Sequence, residues 1–176
     1  MPDPSAPPPE PAARPTPRHR TSAGLLLYRP APGPAGFEVL LGHMGGPLWA
    51  SRDAGAWTVP KGEHGPEEEP LAAARREFEE ELGLAPPAGS PRSLGSVRQS
   101  GGKVVTVWAL AGEVDVALFR PGTFTMQWPP RSGRTAEFPE LDRVAWCTPA
   151  EAETLLVRAQ AAFPARLAEL LAGDAD

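Results

Sequence analysis

Apolar positions recur along this chain at two different periods. Leu71, Ala74, Phe78 and Leu82 fall at helical spacing, so they predict an α-helix with one stripe facing a core. Pro70 suits the first turn of that helix, where its missing N–H costs nothing. Gly83 supplies a left-handed C-terminal cap. Glu67, Glu68 and Glu69 lie near the positive end of the helix dipole. Elsewhere, short apolar runs bounded by Gly and Pro read as strands, at residues 23–28, 37–43, 57–59, 94–99, 104–110, 123–128 and 143–147. The first two should form a hairpin across a turn rich in Pro and Gly. The runs 94–99 and 104–110 should form another around Gly101-Gly102. Residues 149–156 and 164–171 read as helices, each with Pro in its first turn. Strands mixed with few helices predict an α/β chain, a mixed sheet sandwiched by helices.

The 176 residues allow one domain of common size plus tails. Residues 1–20 are rich in Pro and end in Arg14, Arg18, His19 and Arg20. Such a segment cannot bury enough surface to fold and is expected to be a disordered tail. The domain is expected over 21–172, with a short tail at 173–176. Net charge is −5, and much of the acid is gathered in the helical segment. That balance argues against nucleic acid as a partner, which calls for a basic surface. Cys147 is the only cysteine, so no intrachain disulfide forms, and its apolar run (144–147) makes it a core residue. No apolar run approaches the roughly 18 residues of a membrane span. No apolar core of a signal peptide is visible at the N-terminus, so the expected location is cytoplasmic.

The helix carries the candidate chemistry. Glu77, Glu80 and Glu81 stand at i, i+3 and i+4, where like charges are neighbours and repel. They are expected to point away from the apolar stripe. Stacked carboxylates gain from a divalent cation, and hard oxygen donors suit Mg²⁺, with Mn²⁺ as a substitute.

The whole segment from Gly62 to Leu84 resembles the signature of the Nudix hydrolases. Gly62, Glu68, Arg76, Glu77, Phe78, Glu80, Glu81, Gly83 and Leu84 match every fixed position. The resemblance implies a Nudix-type α/β/α sandwich around a mixed sheet. It also implies Mg²⁺-dependent hydrolysis of a nucleoside diphosphate linked to another moiety. Glu77, Glu80 and Glu81 would then hold metal, with the Gly62 carbonyl nearby. Arg76 would orient the carboxylates and Glu68 would support them. A general base outside the signature is expected in a late loop before a Trp-containing strand. Glu140 stands six residues before Trp146 and is preferred, with Glu137 second.

Substrate choice rests on other residues. Trp57-Thr58-Val59-Pro60-Lys61-Gly62 resembles the approach seen in diadenosine tetraphosphate hydrolases and diphosphoinositol polyphosphate phosphohydrolases of the family, which would put Lys61 on a phosphate oxygen. Lys103, Arg131 and Arg134 are further phosphate-binding candidates. Trp49, Trp128 and Phe124 are candidates for stacking a base. His43 reads as a strand-end or loop residue, with a catalytic role the lesser alternative.

The chain also departs from the family. Ser100-Gly101-Gly102 stands where dinucleoside polyphosphate members often carry Tyr, and Gln99 and Ser100 where ADP-ribose members often carry Pro. The patterns of coenzyme A and RNA-decapping members are missing. The expected partner is a nucleotide or polyphosphate small molecule, with dinucleoside polyphosphates such as diadenosine tetraphosphate preferred. The alternatives are a sanitising pyrophosphohydrolase of oxidised nucleoside triphosphates and a non-catalytic nucleotide-sensing module. The chain is expected to be a monomer or homodimer.

Overall fold

The computed structural model describes residues 20–174. In chain order the elements are β1 (Thr21–Pro30), β2 (Phe37–Met44), β3 (Trp57–Thr58), β4 (Lys61–Glu63), α1 (Pro70–Leu82), β5 (Arg92–Arg98), β6 (Val104–Ala111), β7 (Thr123–Gln127), β8 (Thr135–Pro139), β9 (Leu141–Cys147), α2 (Pro149–Leu155) and α3 (Ala162–Ala172). Short 3₁₀ turns at Val116–Leu118 and Arg158–Ala161 complete the set.

A splayed pair of strands positions everything else. β1 and β2 form the expected antiparallel hairpin, but their ladder runs only from Tyr28↔Val39 to Pro30↔Phe37. Beyond that they diverge, and residues 57–63 fill the wedge. β3 pairs with β2, and β4 pairs antiparallel with β1. Between them the Leu25 N–H donates to the Pro60 carbonyl at 3.1 Å. β6 runs parallel to β1 from Thr21 to Tyr28, which makes the sheet mixed. β5 and β9 close the two sides, on β6 and β2. β7 and β8 form a separate two-stranded ribbon.

Helices cover both faces of the seven-stranded sheet, giving the expected sandwich. On one face α1 lays Ala73, Ala74, Phe78 and Leu82 against Leu25, Leu27, Leu40, Leu110 and Leu141. Full burial of a side chain such as Phe78 contributes about 1.5–3 kcal/mol. On the other face Phe163 and Leu167 of α3 and Ala152 of α2 pack on Leu26, Val39, Leu41, Val105 and Val107. Cys147 belongs to this second core, where burial pushes its thiol up to about 11. Its place is structural, as its apolar run suggests. Among the described residues no helix is long and apolar enough to cross a membrane.

Local signals explain the ends of α1. The Glu69 side chain accepts from the Ala72 N–H at 2.9 Å, and Pro70 occupies the first turn. Gly83 stops the helix at φ 65°, and a Cβ there would meet the Arg120 carbonyl oxygen at 2.5 Å. That position needs glycine for both its conformation and its space.

Two strands escape the apolar pattern. Lys61–Glu63 has no apolar side chain, because one of its faces meets carboxylates and the other meets cations. Thr135–Pro139 lies in an exposed ribbon with no alternation strong enough to mark it. Of the expected tails, residues 1–19 and 175–176 lie outside the described residues. Arg20 already joins the sheet, its carbonyl accepting from the Val104 N–H at 3.0 Å. Asp174 pairs with the Arg92 guanidinium.

Candidate active site

β4 and α1 bring the signature together. Gly62 pairs with Ala23 and so faces α1. Its Cα packs directly on the Glu77 carboxylate, and a Cβ would stand 1.8 Å from Glu77 Oε2. Only glycine allows this approach. One residue earlier, the Lys61 N–H donates to Glu81 Oε2 at 2.9 Å. The two carboxylates therefore seat on consecutive residues of one strand.

Glu81 corrects the expectation that all three glutamates turn away from the core. It is only 8% exposed, while the Glu77 and Glu80 side chains are 14% and 56% exposed. Helix geometry explains the gradient. At about 100° per residue, Glu81 lies roughly 65° from the centre of the apolar stripe, Glu77 about 105° and Glu80 about 165°. Burial pushes the Glu81 carboxyl up to about 8, against the opposing pull of the Lys61 charge.

Arg76 ties the remaining acids together. Its Nε and Nη2 donate to the two oxygens of Glu68 at 2.8 and 2.9 Å. Its Nη1 donates to Glu77 Oε1 at 2.7 Å and to Glu80 Oε2 at 3.0 Å. These charge-assisted bonds fix three carboxylates at once. They hold Arg76 well above the ordinary arginine value, and the Glu68 carboxyl below its own.

Glu140 arrives from the turn between β8 and β9. Its N–H donates to the Gly122 carbonyl at 2.9 Å. A Cβ on Gly122 would lie 2.9 Å from both Glu140 Oε2 and the Glu80 carbonyl oxygen, so the Glu140 carboxylate stands beside the α1 cluster. Burial, then the charges of Glu77 and Glu80, push its carboxyl up. Glu137, the second candidate, sits in the ribbon opposite Thr125 and, like Glu140, is exposed.

The donor set fits a hard divalent cation. Carboxylate oxygens dominate it, the missing side chain of Gly62 makes room for the Glu77 carboxylate itself, and the like charges of Glu77 and Glu140 help to raise Glu81. Among the described residues no three His, Cys, Asp or Glu side chains converge as a ready-made metal site. Arg76 supplies the counter-charge to Glu77 and Glu80, and the Lys61 amide takes one oxygen of Glu81.

Lys61 also faces a cavity of about 730 Å³. Trp49, Met44, Thr58 and Lys103 line it, together with Arg20, Arg98, Arg158 and Gln160. Burial holds the Lys61 ammonium below the usual lysine value, against the pull of Glu81. Lys103 and Arg20 both pair with Glu63, Lys103 at 2.8 Å. The expected site residues Trp49, Lys61 and Lys103 thus share one cavity. Arg131 and Arg134 do not line it. They lie at the exposed end of the β7–β8 ribbon, about 17 Å of strand from its base. Phe124 packs on Phe138 with ring centres 6.1 Å apart, and Trp128 lies outside the cavity lining.

His43 is fully buried and has a different task. Its Nδ1 meets Asp142 Oδ1 and its Nε2 meets the Arg52 carbonyl, both at 2.7 Å. It straps the loop after β2 to the start of β9.

Gln160 was not visible as a site residue in the sequence. Fully buried, it accepts from the Val59 N–H at 2.9 Å and donates to Thr58 Oγ1 at 3.0 Å. It thereby pins the end of β3 and the residue after it, just ahead of the strand that carries Lys61 and Gly62. A lone polar residue in the apolar run 159–163 is the only hint the sequence holds.

The fold agrees with comparison to known proteins. A NUDIX domain model matches residues 18–171, and the chain belongs to the Nudix family, as a pyrophosphohydrolase. A search of curated proteins finds no match. Among solved structures the chain is similar to an Ap4A hydrolase from C. elegans in a binary complex, at 23% identity and a TM-score of 0.61, covering 88% of this chain and 98% of that one. It is also similar to the Nudix hydrolase RenU from M. smegmatis, at 25% identity and a TM-score of 0.51, with 88% of each chain covered. The NUDIX domain of Shewanella oneidensis NrtR, crystallised with ADP ribose, aligns at 14% identity and a TM-score of 0.53, covering 89% of this chain and 88% of that one.

Proposed function

We propose that this chain is a Mg²⁺-dependent hydrolase of nucleoside diphosphate-linked substrates, with dinucleoside polyphosphates such as diadenosine tetraphosphate preferred. The observation that carries the reading is the Lys61-Gly62 junction. Its backbone seats Glu81 and Glu77, while the Lys61 side chain faces a cavity lined by cations and Trp49. A polyanion in that cavity would lie beside Lys61, whose backbone N–H seats Glu81, one of the carboxylates that would hold metal.

Glu77, Glu80 and Glu81 would hold the cation, which when bound neutralises phosphate oxygens and makes a water nucleophilic. Arg76 keeps those carboxylates oriented. Glu140, raised by burial and by its acidic neighbours, is poised to take a proton from the attacking water. Lys61 and Lys103 offer charge to the phosphates. Trp49 offers a face to a base, a contact that tolerates any base. A single buried thiol suits a reducing cytoplasm.

A substrate panel tests the reading. Diadenosine tetraphosphate, 8-oxo-dGTP, ADP-ribose and a diphosphoinositol are each incubated with protein and Mg²⁺, and the products are resolved. Diadenosine tetraphosphate should be cleaved with the highest kcat/KM. Far better cleavage of 8-oxo-dGTP would replace the preferred substrate by the oxidised nucleotide. No cleavage of any of them, with metal bound, would leave a sensing module instead.

A further inference from the structure

The cavity beside Lys61 holds more positive charge than a diphosphate at the acid cluster calls for. Five of its lining residues are Lys or Arg and none is Asp or Glu, in a chain whose net charge is −5. Glu63 answers Arg20 and Lys103. Among the described residues no carboxylate pairs with Lys61, Arg98 or Arg158. Arg98 ends β5 and Arg158 begins the 3₁₀ turn before α3, so separate elements bring them to one cavity. Both are exposed and neither supports the core. Like charges gathered around one concave surface repel, and a bound anion removes that repulsion. Arginine suits the task because its planar fork grips phosphate oxygens in pairs.

We infer that this cavity receives a phosphate group of the substrate beyond the diphosphate being cleaved, and that Arg98 and Arg158 select for it. The inference deepens the proposed function and rests on that reading for the reaction, though not for the binding. It makes the enzyme a counter of phosphates. A dinucleoside tetraphosphate carries further phosphates beyond the pair that flanks any bond cleaved within its chain. ADP-ribose offers only its diphosphate, followed by a neutral sugar.

The test uses the full chain, Arg98→Gln, Arg158→Gln and the double variant, with thermal melts to show that each folds. Inorganic tripolyphosphate is the probe, titrated by calorimetry in EDTA so that metal takes no part. The parent should bind it, and the double variant should bind it roughly ten-fold more weakly or worse. With Mg²⁺, KM for diadenosine tetraphosphate should rise by about the same factor while kcat stays within a few-fold, and turnover of ADP-ribose should not respond. No binding by the parent, or equal binding and equal KM in parent and double variant, overturns the inference. If tripolyphosphate binding depends on the two arginines but nothing is hydrolysed, the inference stands and the hydrolase reading falls. If hydrolysis proceeds with KM indifferent to both arginines, the inference alone falls.

Discussion

Replacing Gly62 by alanine adds one methyl group at the point where strand and helix meet. That Cβ would stand 1.8 Å from Glu77 Oε2, 1.9 Å from Cδ and 2.4 Å from Oε1. Nonbonded atoms settle near 3.5–4.0 Å, so the carboxylate must retreat by roughly 1.5–2 Å. Its bond to Arg76 Nη1, 2.7 Å long, cannot survive a retreat of that size in place. Misplacing a catalytic group by about 1 Å can cost on the order of 10²-fold in rate, so kcat for Gly62→Ala should fall at least that far. Stability should change much less, because Glu77 is a side chain at the edge of the core and can swing outward. Crowding of this kind costs about 1–3 kcal/mol, offset in part by the lower chain entropy of alanine. Gly65, three residues on, has open space around its Cα, and Gly65→Ala is the control. Steady-state hydrolysis of diadenosine tetraphosphate with Mg²⁺, alongside urea melts, reads both effects. If Gly62→Ala turns over within a few-fold of the parent, the contact with Glu77 has no part in the reaction.

Three further outcomes are expected. Glu140→Gln should lower kcat by about 10²–10⁴-fold with little change in KM if its carboxylate takes the proton from water; a rate within a few-fold of the parent removes Glu140 from the mechanism. Without metal, the folded protein keeps Glu81 protonated up to about pH 8, whereas the unfolded chain releases that proton near 4.5. The stability tied to this group is therefore whole below about 4.5 and is lost as pH rises through about 8. Urea melts in EDTA at pH 5 and pH 8 should show a larger loss for the parent than for Glu81→Gln, and an equal loss would refute burial as the cause. Gln160→Leu should cost about 1–3 kcal/mol by leaving the buried Val59 N–H without its acceptor; an unchanged denaturation midpoint would show that the strand does not need this brace.

Much of this was legible because the informative residues are local. Pro70 at the start of α1, Gly83 at its stop and Ala74, Phe78 and Leu82 of its stripe follow from spacing within a single helix and recur in the structure, while Leu71 is only half-buried and Ala73 joins the core. The signature, lying in one continuous stretch, indicated Nudix chemistry before any packing was known. Glu81 was misread because three carboxylates on a helix suggest one wet face, yet Glu81 lies close enough to the stripe to be drawn under Lys61. Lys61–Glu63 and the ribbon strand Thr135–Pro139 gave no apolar alternation to follow. The cavity was hidden for another reason. Arg20, Arg98 and Arg158 are spread widely along the chain, and only the parallel pairing of β1 with β6 and the packing of the turn before α3 bring them together. Arg131 and Arg134, close in sequence, stand at the end of the β7–β8 ribbon and outside the lining of that cavity.

On the proposed function, the α1 carboxylates hold a divalent cation that hydrolysis requires. Manganese titration followed by electron paramagnetic resonance tests it most directly, on the parent and on Glu77→Gln/Glu81→Gln, with hydrolysis assayed in the same samples. The parent should bind Mn²⁺ and cleave diadenosine tetraphosphate only when metal is present. The double variant, still folded, should lose both together. Unchanged Mn²⁺ binding in the double variant, or hydrolysis by the parent in excess EDTA, would contradict it.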